Sequence, residues 1–279
     1  MRLRDLTIAT VALTATASLA ACGGSGSATT VKAGCKPAHQ FSTVTKGSLT
    51  VATYDLPPFT KVQGSAELTG VDGDVLKAVA LKECVTITVK SMATAAVIPT
   101  IQSGRADLAA GDWYRTAKRA QIVSLSDPMY TDQMAFISKA GLTKVSQLAG
   151  KTVGTVDGYL WVEDIKKVLG SSVKVYATTL NMNEDLKAGR IEVGIDSYGS
   201  GKFNNPNLKV EVTESDPRVA ASQQGAQSSF PVPKENAALL AALNADIAQM
   251  HTSGEMAKIL TANKLPAAAA DTGVPRLIG

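Results

Sequence analysis

Residues 49–89, LTVATYDLPPFTKVQGSAELTGVDGDVLKAVALKECVTITV, alternate between two kinds of secondary structure. The β-branched run at 49–53 predicts a strand. Apolar side chains recur at helical spacing over 73–83 and predict a helix, and 85–89 predict a second strand. A strand, a helix and a strand in succession form the basic unit of α/β proteins, so this segment decides the fold class.

The same alternation continues towards the C-terminus, without an internal repeat. It predicts an α/β protein with largely parallel sheets. The further predicted strands are 107–110, 133–138, 152–155, 173–176 and 191–195, and the further predicted helices are 97–103, 160–169, 183–188, 235–251 and 254–262.

Composition places the chain among globular proteins of one or two domains. The 279 residues are 45% hydrophobic and 19% charged, which excludes wholesale disorder. A net charge of +4 over this length is not the dense basic face that nucleic-acid binding needs. We therefore expect no nucleic-acid partner.

The N-terminus has the pattern of a secretory signal. Arg2 and Arg4 precede an apolar stretch at 6–19, which is shorter than the roughly 20 residues that span a bilayer. The following Leu-Ala-Ala-Cys, ending at Cys22, resembles the bacterial lipobox, although a chance cysteine after an ordinary signal peptide is the alternative. We expect 1–21 to be removed and 22–46 to form a lipidated cysteine and tether that hold the domain outside the cytoplasm, at the cell surface or in a periplasm.

The other two cysteines, Cys35 and Cys84, form a possible pair outside the cytoplasm, where disulfides persist. A bridge between them closes a long loop and contributes roughly 4 kcal/mol in the chain-entropy model. Two independent thiols are the alternative.

Generic catalytic and metal motifs are missing from the sequence. His39 and His251 have no second ligand at metal-binding spacing, and no nucleophile elbow is present. The Gly-Ser-Gly-Lys run at 199–202 is followed by Phe203 where a phosphate loop needs Ser or Thr. We expect no metal, no cofactor and no enzymatic activity.

Six motifs in order resemble the family 3 extracellular solute-binding proteins, the amino-acid receptors of ABC importers. Each motif is weak alone, but their order and spacing hold from about residue 48 to 262. They are LTVATYDLPPF at 49–59, GVDGDV at 70–75, IPTIQSGRAD at 98–107, Arg119 with SDPMY at 126–130, VSQLAGKTVGTV at 145–156 and GRIEVGID at 189–196.

The resemblance implies a periplasmic-binding-protein-like fold of type II, with two α/β lobes joined by a two-strand hinge. It places lobe 1 at 47–128 and 227–279 and lobe 2 at 134–222. It further implies that a small molecule such as an amino acid binds between the lobes, that ABC permease subunits are the partners, and that the protein is a monomer.

Two charged residues align with the family's recognition groups. The planar guanidinium of Arg119 aligns with the group that binds the ligand carboxylate by two parallel hydrogen bonds, with Arg115 as a rival. Asp196 aligns with the acceptor of the ligand ammonium, although the run from Glu192 is one residue shorter than the family pattern. A surface arginine and a loop-capping aspartate are the alternatives.

The remaining candidates line the cleft that the resemblance predicts. Tyr54 and Trp113 are expected walls, while Phe59 is a wall or part of the core. Gly158 is expected to head a helix whose N–H groups receive the carboxylate, and Asp55 and Asp112 each contact a polar ligand group or cap a turn. The candidate ligand set is Tyr54, Asp55, Phe59, Gly111, Asp112, Trp113, Arg119, Gly158, Tyr159 and Asp196.

Departures from the family pattern make transfer of a particular ligand unsafe. Gly111-Asp112-Trp113 replaces Gly-x-Thr, Tyr159 replaces a threonine, and Thr94 stands where an aromatic residue is usual. These changes predict a pocket rebuilt around Trp113, Tyr114, Tyr159 and Trp161.

Two other functions fit the same fold. A sensory or accessory module would bind its ligand for signalling, and adjacent permease and ATPase genes would distinguish import from this. A dehydratase acting on cyclic carboxylates would need a general acid in the cleft, with Glu163 or Asp112 as candidates.

Overall fold

The computed structural model describes residues 31–64 and 67–279. Its strands are β1 (Ser48–Thr53), β2 (Lys61–Gln63), β3 (Glu67–Thr69), β4 (Thr86–Ser91), β5 (Leu108–Ala109), β6 (Trp113–Tyr114), β7 (Ser124–Leu125), β8 (Thr131–Asp132), β9 (Met134–Ser138), β10 (Val153–Val156), β11 (Val173–Tyr176), β12 (Val193–Ser197), β13 (Lys209–Val212), β14 (Ala226–Ser229) and β15 (Pro231–Val232). Its α-helices are α1 (Val71–Lys82), α2 (Thr94–Gln102), α3 (Ala117–Ala120), α4 (Val162–Leu169), α5 (Thr179–Lys187), α6 (Tyr198–Asn204), α7 (Ala237–Thr252) and α8 (Glu255–Ala262).

The first sheet has the order β4-β1-β5 and is entirely parallel. Every residue of β1 is buried, as expected for a central parallel strand covered on both faces. Ser48 lies opposite Thr86 and Thr53 opposite Ser91, so β1 and β4 end at the same edge. The residues that follow these strands therefore meet at that edge.

The second sheet has the order β11-β10-β12-β9-β13. The pairs of β10 with β11 and with β12 are parallel, whereas β9 runs antiparallel to both β12 and β13. The expectation of largely parallel sheets therefore holds for the first sheet and only partly for the second. The antiparallel strand β9 enters the second sheet directly after the chain has crossed from the first.

The chain crosses between the two sheets at β8 and β14. These strands pair antiparallel, with Ala226 opposite Asp132 and Gln227 opposite Thr131. Strand β14 also pairs with β6, so that Ser229 lies opposite Trp113. Strands β8 and β14 form the two-strand hinge of a type II periplasmic binding protein fold, as predicted.

Helix positions follow the sequence periodicity, but the six predicted helices each begin one to four residues away from the predicted start. Helix α5 begins at Thr179 rather than 183, because the Thr178 hydroxyl accepts a hydrogen bond from the Asn181 N–H and caps it. Helix α2 begins at Thr94 rather than 97 and contains Pro99 in its interior. Helix α4 begins at Val162, two residues later than predicted.

The predicted bridge between Cys35 and Cys84 is present, with 5.8 Å between the two Cα atoms. It fastens the segment before β1 to the residues after α1. The same segment is held by Asp107, whose carboxylate accepts hydrogen bonds from the N–H groups of Val44 and Thr50. The predicted signal peptide, Cys22 and residues 23–30 of the tether lie outside the described residues.

Within the described part of the chain, no helix is long and apolar enough to cross a membrane.

Candidate functional site

The predicted site residues meet where the strands of both sheets end. Tyr54 follows β1, Asp112 and Trp113 follow β5, Tyr159 follows β10, and Asp196 lies near the end of β12. They surround a cavity of about 20 Å³, which is of the order needed for a single water molecule. Its lining residues are Tyr54, Leu56, Asp112, Trp113, Tyr114, Arg119, Tyr159, Leu160, Trp161, Asp196 and Ser197.

Arg119 projects into this cavity from the short helix α3. The Thr116 hydroxyl caps that helix by accepting a 3.0 Å hydrogen bond from the Arg119 N–H. The guanidinium donates from Nη1 to the Tyr114 carbonyl oxygen at 2.8 Å, and its Cζ lies 4.7 Å from the centroid of the Trp113 ring. Burial lowers the pKa of Arg119 to about 10, which leaves it charged at neutral pH.

Arg115 has a different position. Its Nη1 donates to the backbone carbonyl oxygens of Ser126 and Leu125, so this guanidinium fastens its own loop to the chain around β7. It does not line the cavity. Of the two arginines considered from the sequence, the structure brings Arg119 to the cleft.

Asp196 is fully buried on the opposite side of the cavity. Its Oδ1 accepts a 2.8 Å hydrogen bond from the Ser197 N–H, and its Oδ2 accepts a 3.0 Å bond from the Ser200 hydroxyl. Burial is the largest cause of a raised pKa, about 7, even though both hydrogen bonds favour the carboxylate. A neighbouring cation would favour the ionised form.

Asp112 presents a second buried carboxyl group. Its backbone has a φ of 52°, in the left-handed region that aspartate tolerates. The Asp72 carboxylate holds this loop by accepting hydrogen bonds from the N–H groups of Gly111, at 2.7 Å, and Asp112, at 3.1 Å. The side-chain Oδ1 of Asp112 is buried without a hydrogen-bond partner.

A third carboxyl group, Asp132 on the crossover strand β8, lies within hydrogen-bonding reach of Asp112. Burial raises the pKa of both groups, to about 6 for Asp132, and the charge of Asp132 raises that of Asp112 further. Two carboxyl groups can share a hydrogen bond only when one of them carries a proton. The protonation of this pair of carboxyl groups beside the cavity is therefore sensitive to pH.

Aromatic rings close the cavity. The centroids of Tyr54 and Trp113 are 5.7 Å apart at an edge-on angle of 75°, and those of Tyr159 and Trp161 are 5.2 Å apart at the same angle. The ring centroids of Tyr54 and Tyr159, which lie on opposite sides of the cleft, are 6.5 Å apart. The prediction of a pocket rebuilt around aromatic residues agrees with this arrangement.

A larger cavity of about 410 Å³ adjoins the first on the other side of Tyr54. Thr94 lines it where the family pattern has an aromatic residue, together with Thr178, Thr179 and Asn183 from the second sheet's side. The Thr179 hydroxyl is hydrogen-bonded to the Tyr159 hydroxyl at 3.0 Å. Small side chains at these positions make the cleft wider here than around Arg119.

Four sequence expectations need correction. Phe59 does not line the Arg119 cavity, because its buried ring stacks on Tyr130 with centroids 5.4 Å apart. Asp55 is exposed and accepts a hydrogen bond from the Val62 N–H, so it closes a turn at the rim of the larger cavity. Gly158 does not head a helix, and its N–H donates to the Asp157 side chain. Glu163 is largely exposed beside Lys166, away from the cleft.

Gly111 and Gly158 contribute backbone carbonyls instead. The Gly111 oxygen accepts a 2.7 Å hydrogen bond from the Tyr54 hydroxyl, and the Gly158 oxygen accepts a 3.4 Å bond from Arg119 Nη2. Sequence reasoning missed Leu56, Leu160 and Ser197. All three adjoin predicted residues or motifs in the chain, but only the loop conformation decides which neighbours face the cavity.

Comparison with known proteins assigns most of the chain to one family. The profile of the bacterial extracellular solute-binding proteins, family 3, matches residues 49–263. The arginine-binding extracellular protein of Bacillus subtilis (strain 168) is 27% identical over 234 residues, covering 81% of this chain and 89% of the relative. The ABC transporter arginine-binding protein 1 of Escherichia coli (strain K12) is 26% identical over 218 residues, covering 75% of this chain and 86% of the relative.

Solved structures of substrate-binding proteins superimpose on this chain over most of its length. The substrate-binding protein of an amino acid ABC transporter superimposes with a TM-score of 0.69 at 26% identity, covering 77% of this chain and 98% of the other. An ancestral arginine-binding protein superimposes with a TM-score of 0.67 at 28% identity, covering 78% and 98%, and has been solved with arginine and with glutamine.

Proposed function

The chain belongs to the bacterial extracellular solute-binding proteins of family 3, and from this premise we propose that the solute it captures for an ABC importer is an amino acid with a cationic side chain, arginine in the first instance. The family is extracytoplasmic and serves uptake as the substrate-binding component. The proposal concerns the ligand, the residues that bind it and the attachment to the membrane.

The observation that carries the proposal is the unpartnered Oδ1 of Asp112. A zwitterionic amino acid satisfies Arg119 with its carboxylate and Asp196 with its ammonium group, because buried charges require partners. Asp112 then still has only the Asp132 carboxyl group and the Ser228 hydroxyl within reach, and neither carries a positive charge. A guanidinium or ammonium group on the ligand's side chain supplies the missing positive charge.

Two further features support a cationic side chain. Among the described residues that line the small cavity, Arg119 is the only cation against the carboxyl groups of Asp112 and Asp196. The rings of Tyr54, Trp113 and Tyr159 offer faces on which a cation is stabilised. The names of the two relatives above indicate arginine, which has such a side chain.

Binding requires movement of the lobes. A cavity of about 20 Å³ is far smaller than an amino acid, so the cleft must open to admit the ligand and close upon it. We propose that closure occurs about the paired strands β8 and β14, and that contacts made only in the closed form shift the population towards it. We place lobe 1 at 47–128 and 227–279 and lobe 2 at 134–222.

The distribution of buried side chains supports these boundaries with two exceptions. The core packed around the first sheet draws its buried residues from 49–130 and 230–260. The two clusters of the second sheet draw mainly from 134–226. Tyr114 and Ile278, assigned to lobe 1, pack instead into the core of the second sheet.

Lipid attachment completes the proposal. Residues 1–21 act as a signal peptide, Cys22 carries the lipid, and 22–46 connect it to the domain as a monomer that docks on permease subunits. The support is the sequence pattern of the N-terminus, together with the disulfide between Cys35 and Cys84, which suits an oxidising compartment. Loss of membrane association on Cys22→Ser would test it.

A calorimetric comparison of arginine with glutamine tests the ligand class. Asp112→Asn keeps the size of the side chain and removes its charge. We expect this variant to bind arginine about 10- to 100-fold more weakly, because a hydrogen bond to a charged group contributes about 1.5–3 kcal/mol, and to leave glutamine binding nearly unchanged. Equal losses for both ligands, or none, would refute the role of Asp112.

A further inference from the structure

A second group of convergent side chains lies outside the cleft, where the segment before β1 packs on α1 and α7. It consists of His39, Glu83 and Asp246, whose potential ligand atoms all lie within 4.8 Å of one another. The side chains of Glu83 and Asp246 are fully buried, while that of His39 is 36% exposed. The group is therefore buried on one side and open to solvent at His39.

The buried carboxyl groups are incompletely partnered. Glu83 accepts hydrogen bonds from the His39 N–H at 2.9 Å and is hydrogen-bonded to the His39 ring nitrogen Nδ1 at 2.6 Å. The Lys82 ammonium lies 2.6 Å from Asp246 Oδ1, as an ion pair, and neither oxygen of Asp246 has a partner in good hydrogen-bond geometry. Oδ2 of Asp246 has no polar partner among the described residues.

The formal charges of this group favour a bound cation. Two buried carboxylates face one permanent positive charge, that of Lys82, and buried charges without partners are strongly destabilising. Lys82 also donates to the Gln249 side chain, which lies on the same helix as Asp246. Lys82 would therefore keep a partner, the Gln249 side chain, if a bound cation replaced its ammonium group beside Asp246.

We propose that His39, Glu83 and Asp246 form a site for a divalent transition metal of the zinc class. One imidazole nitrogen and two carboxylate oxygens are ligands that Zn²⁺ prefers, and water completes a four-coordinate site from the exposed side of His39. The ligands are remote in the sequence, so no local spacing reveals them. The site would fasten the C-terminal part of the tether to lobe 1, next to the disulfide.

Metal titration of the untagged, full-length protein tests the site. We use a Cys22→Ser background, so that no free thiol competes, and remove metal with a chelator first. Calorimetry with Zn²⁺ should show saturable binding of one equivalent, and the melting temperature should rise with it. The visible spectrum with Co²⁺ should show ligand-field bands without a thiolate charge-transfer band.

Two histidine variants make a matched pair. His39→Gln removes a ligand from the exposed segment and should weaken Zn²⁺ binding at least about tenfold. His251→Gln changes the other histidine, whose Nε2 contacts the Pro128 carbonyl oxygen, and should leave binding as in the parent. Equal binding by the two variants would overturn the proposal. So would the absence of a saturable equivalent in the parent, which would mean that protonated His39 supplies the charge.

Discussion

Arg119 and Gly158 face each other across the cleft, and Nη2 of the arginine donates a 3.4 Å hydrogen bond to the glycine's carbonyl oxygen. The contact joins the side of the first sheet to that of the second. It occupies a donor that a ligand carboxylate would need, so in the function that we propose the ligand and Gly158 compete for the same guanidinium. We therefore expect capture of a ligand to exchange this contact between the lobes for two contacts through the ligand.

Arg119→Lys tests this bidentate role. Lysine keeps the charge but lacks the planar fork, so we expect amino-acid affinity to fall about tenfold or more while the melting temperature changes little. Arg115→Lys is the control, because Arg115 binds backbone carbonyls of the fold. That variant should lower the melting temperature and leave the affinity of the folded protein intact. A loss of affinity in Arg115→Lys, with unchanged affinity in Arg119→Lys, would contradict the assignment of Arg119 to the ligand carboxylate.

Gly111→Ala tests the support of Tyr54. Gly111 has a φ of +131°, and a Cβ there would lie 2.6 Å from Cε1 of Tyr54. We expect weaker ligand binding, because the tyrosine must move, and a loss of stability of more than about 1 kcal/mol. Gly150→Ala provides the control, since Gly150 also has a positive φ but nothing within 4 Å of the added atom. It should affect stability alone, and a binding defect there would argue against our explanation.

The raised pKa of Asp196 predicts opposite effects of pH on ligand binding and on stability. Its pKa in the folded protein is about 7, above the ordinary 3.8, because of burial. Below pH 7 the folded protein therefore holds a proton that the unfolded chain releases near pH 4. The contribution of Asp196 to stability consequently falls as the pH rises from about 4 to 7.

Ligand binding should show the reverse trend, because an ammonium group requires the ionised carboxylate. We expect affinity to decrease below pH 7 by at most roughly tenfold per unit from this group. Calorimetry and thermal unfolding across pH 5–8 measure the two trends. Asp196→Asn should weaken both pH dependences, although Asp112 and Asp132 also titrate near the cleft. Unchanged profiles in that variant would exclude Asp196 as their source.

The disulfide should contribute to stability and not to recognition. Cys35 and Cys84 are 49 positions apart, and neither residue lines the cavity around Arg119. Replacing both by alanine should reduce the free energy of unfolding by about 4 kcal/mol. Chemical denaturation measures this loss, and arginine affinity should persist in the folded variant. A parallel loss of affinity would indicate that the N-terminal segment contributes to the cleft.

The sequence was most informative where hydrophobic periodicity is strong. Strand β1 begins one residue earlier than predicted, because continuous apolar runs are typical of buried parallel strands. Strand β11 has the predicted bounds although it lies at the edge of its sheet, where Lys174 is exposed between Val173 and Val175. The short strands β6, β8 and β14 at the crossover were not predicted. Two to four residues carry too little periodicity, and long-range pairing determines their conformation. Helix α6 also escaped prediction, because its Gly-Ser-Gly composition is typical of a loop.

Within the site, most of the charged residues and most of the aromatic walls were predictable from the sequence. Arg119, Asp112 and Asp196 line the cavity as expected, since a buried charge in such a cleft has few structural uses. Phe59 shows the limit of sequence reasoning, because its position after the Pro-Pro turn allows either the cleft or the core, and the partner ring of Tyr130 decides for the core. The group of His39, Glu83 and Asp246 depends on three remote segments and has no sequence signal.

The central claim is that the cleft selects a cationic amino acid, and a calorimetric titration of the purified protein tests it most directly. Arginine, lysine, histidine, glutamine and glutamate are each titrated at pH 8, where Asp196 is ionised. We predict the tightest binding for arginine or another cationic amino acid and no measurable binding for glutamate. Preferential binding of glutamate or glutamine, with no heat from arginine or lysine, would contradict the account.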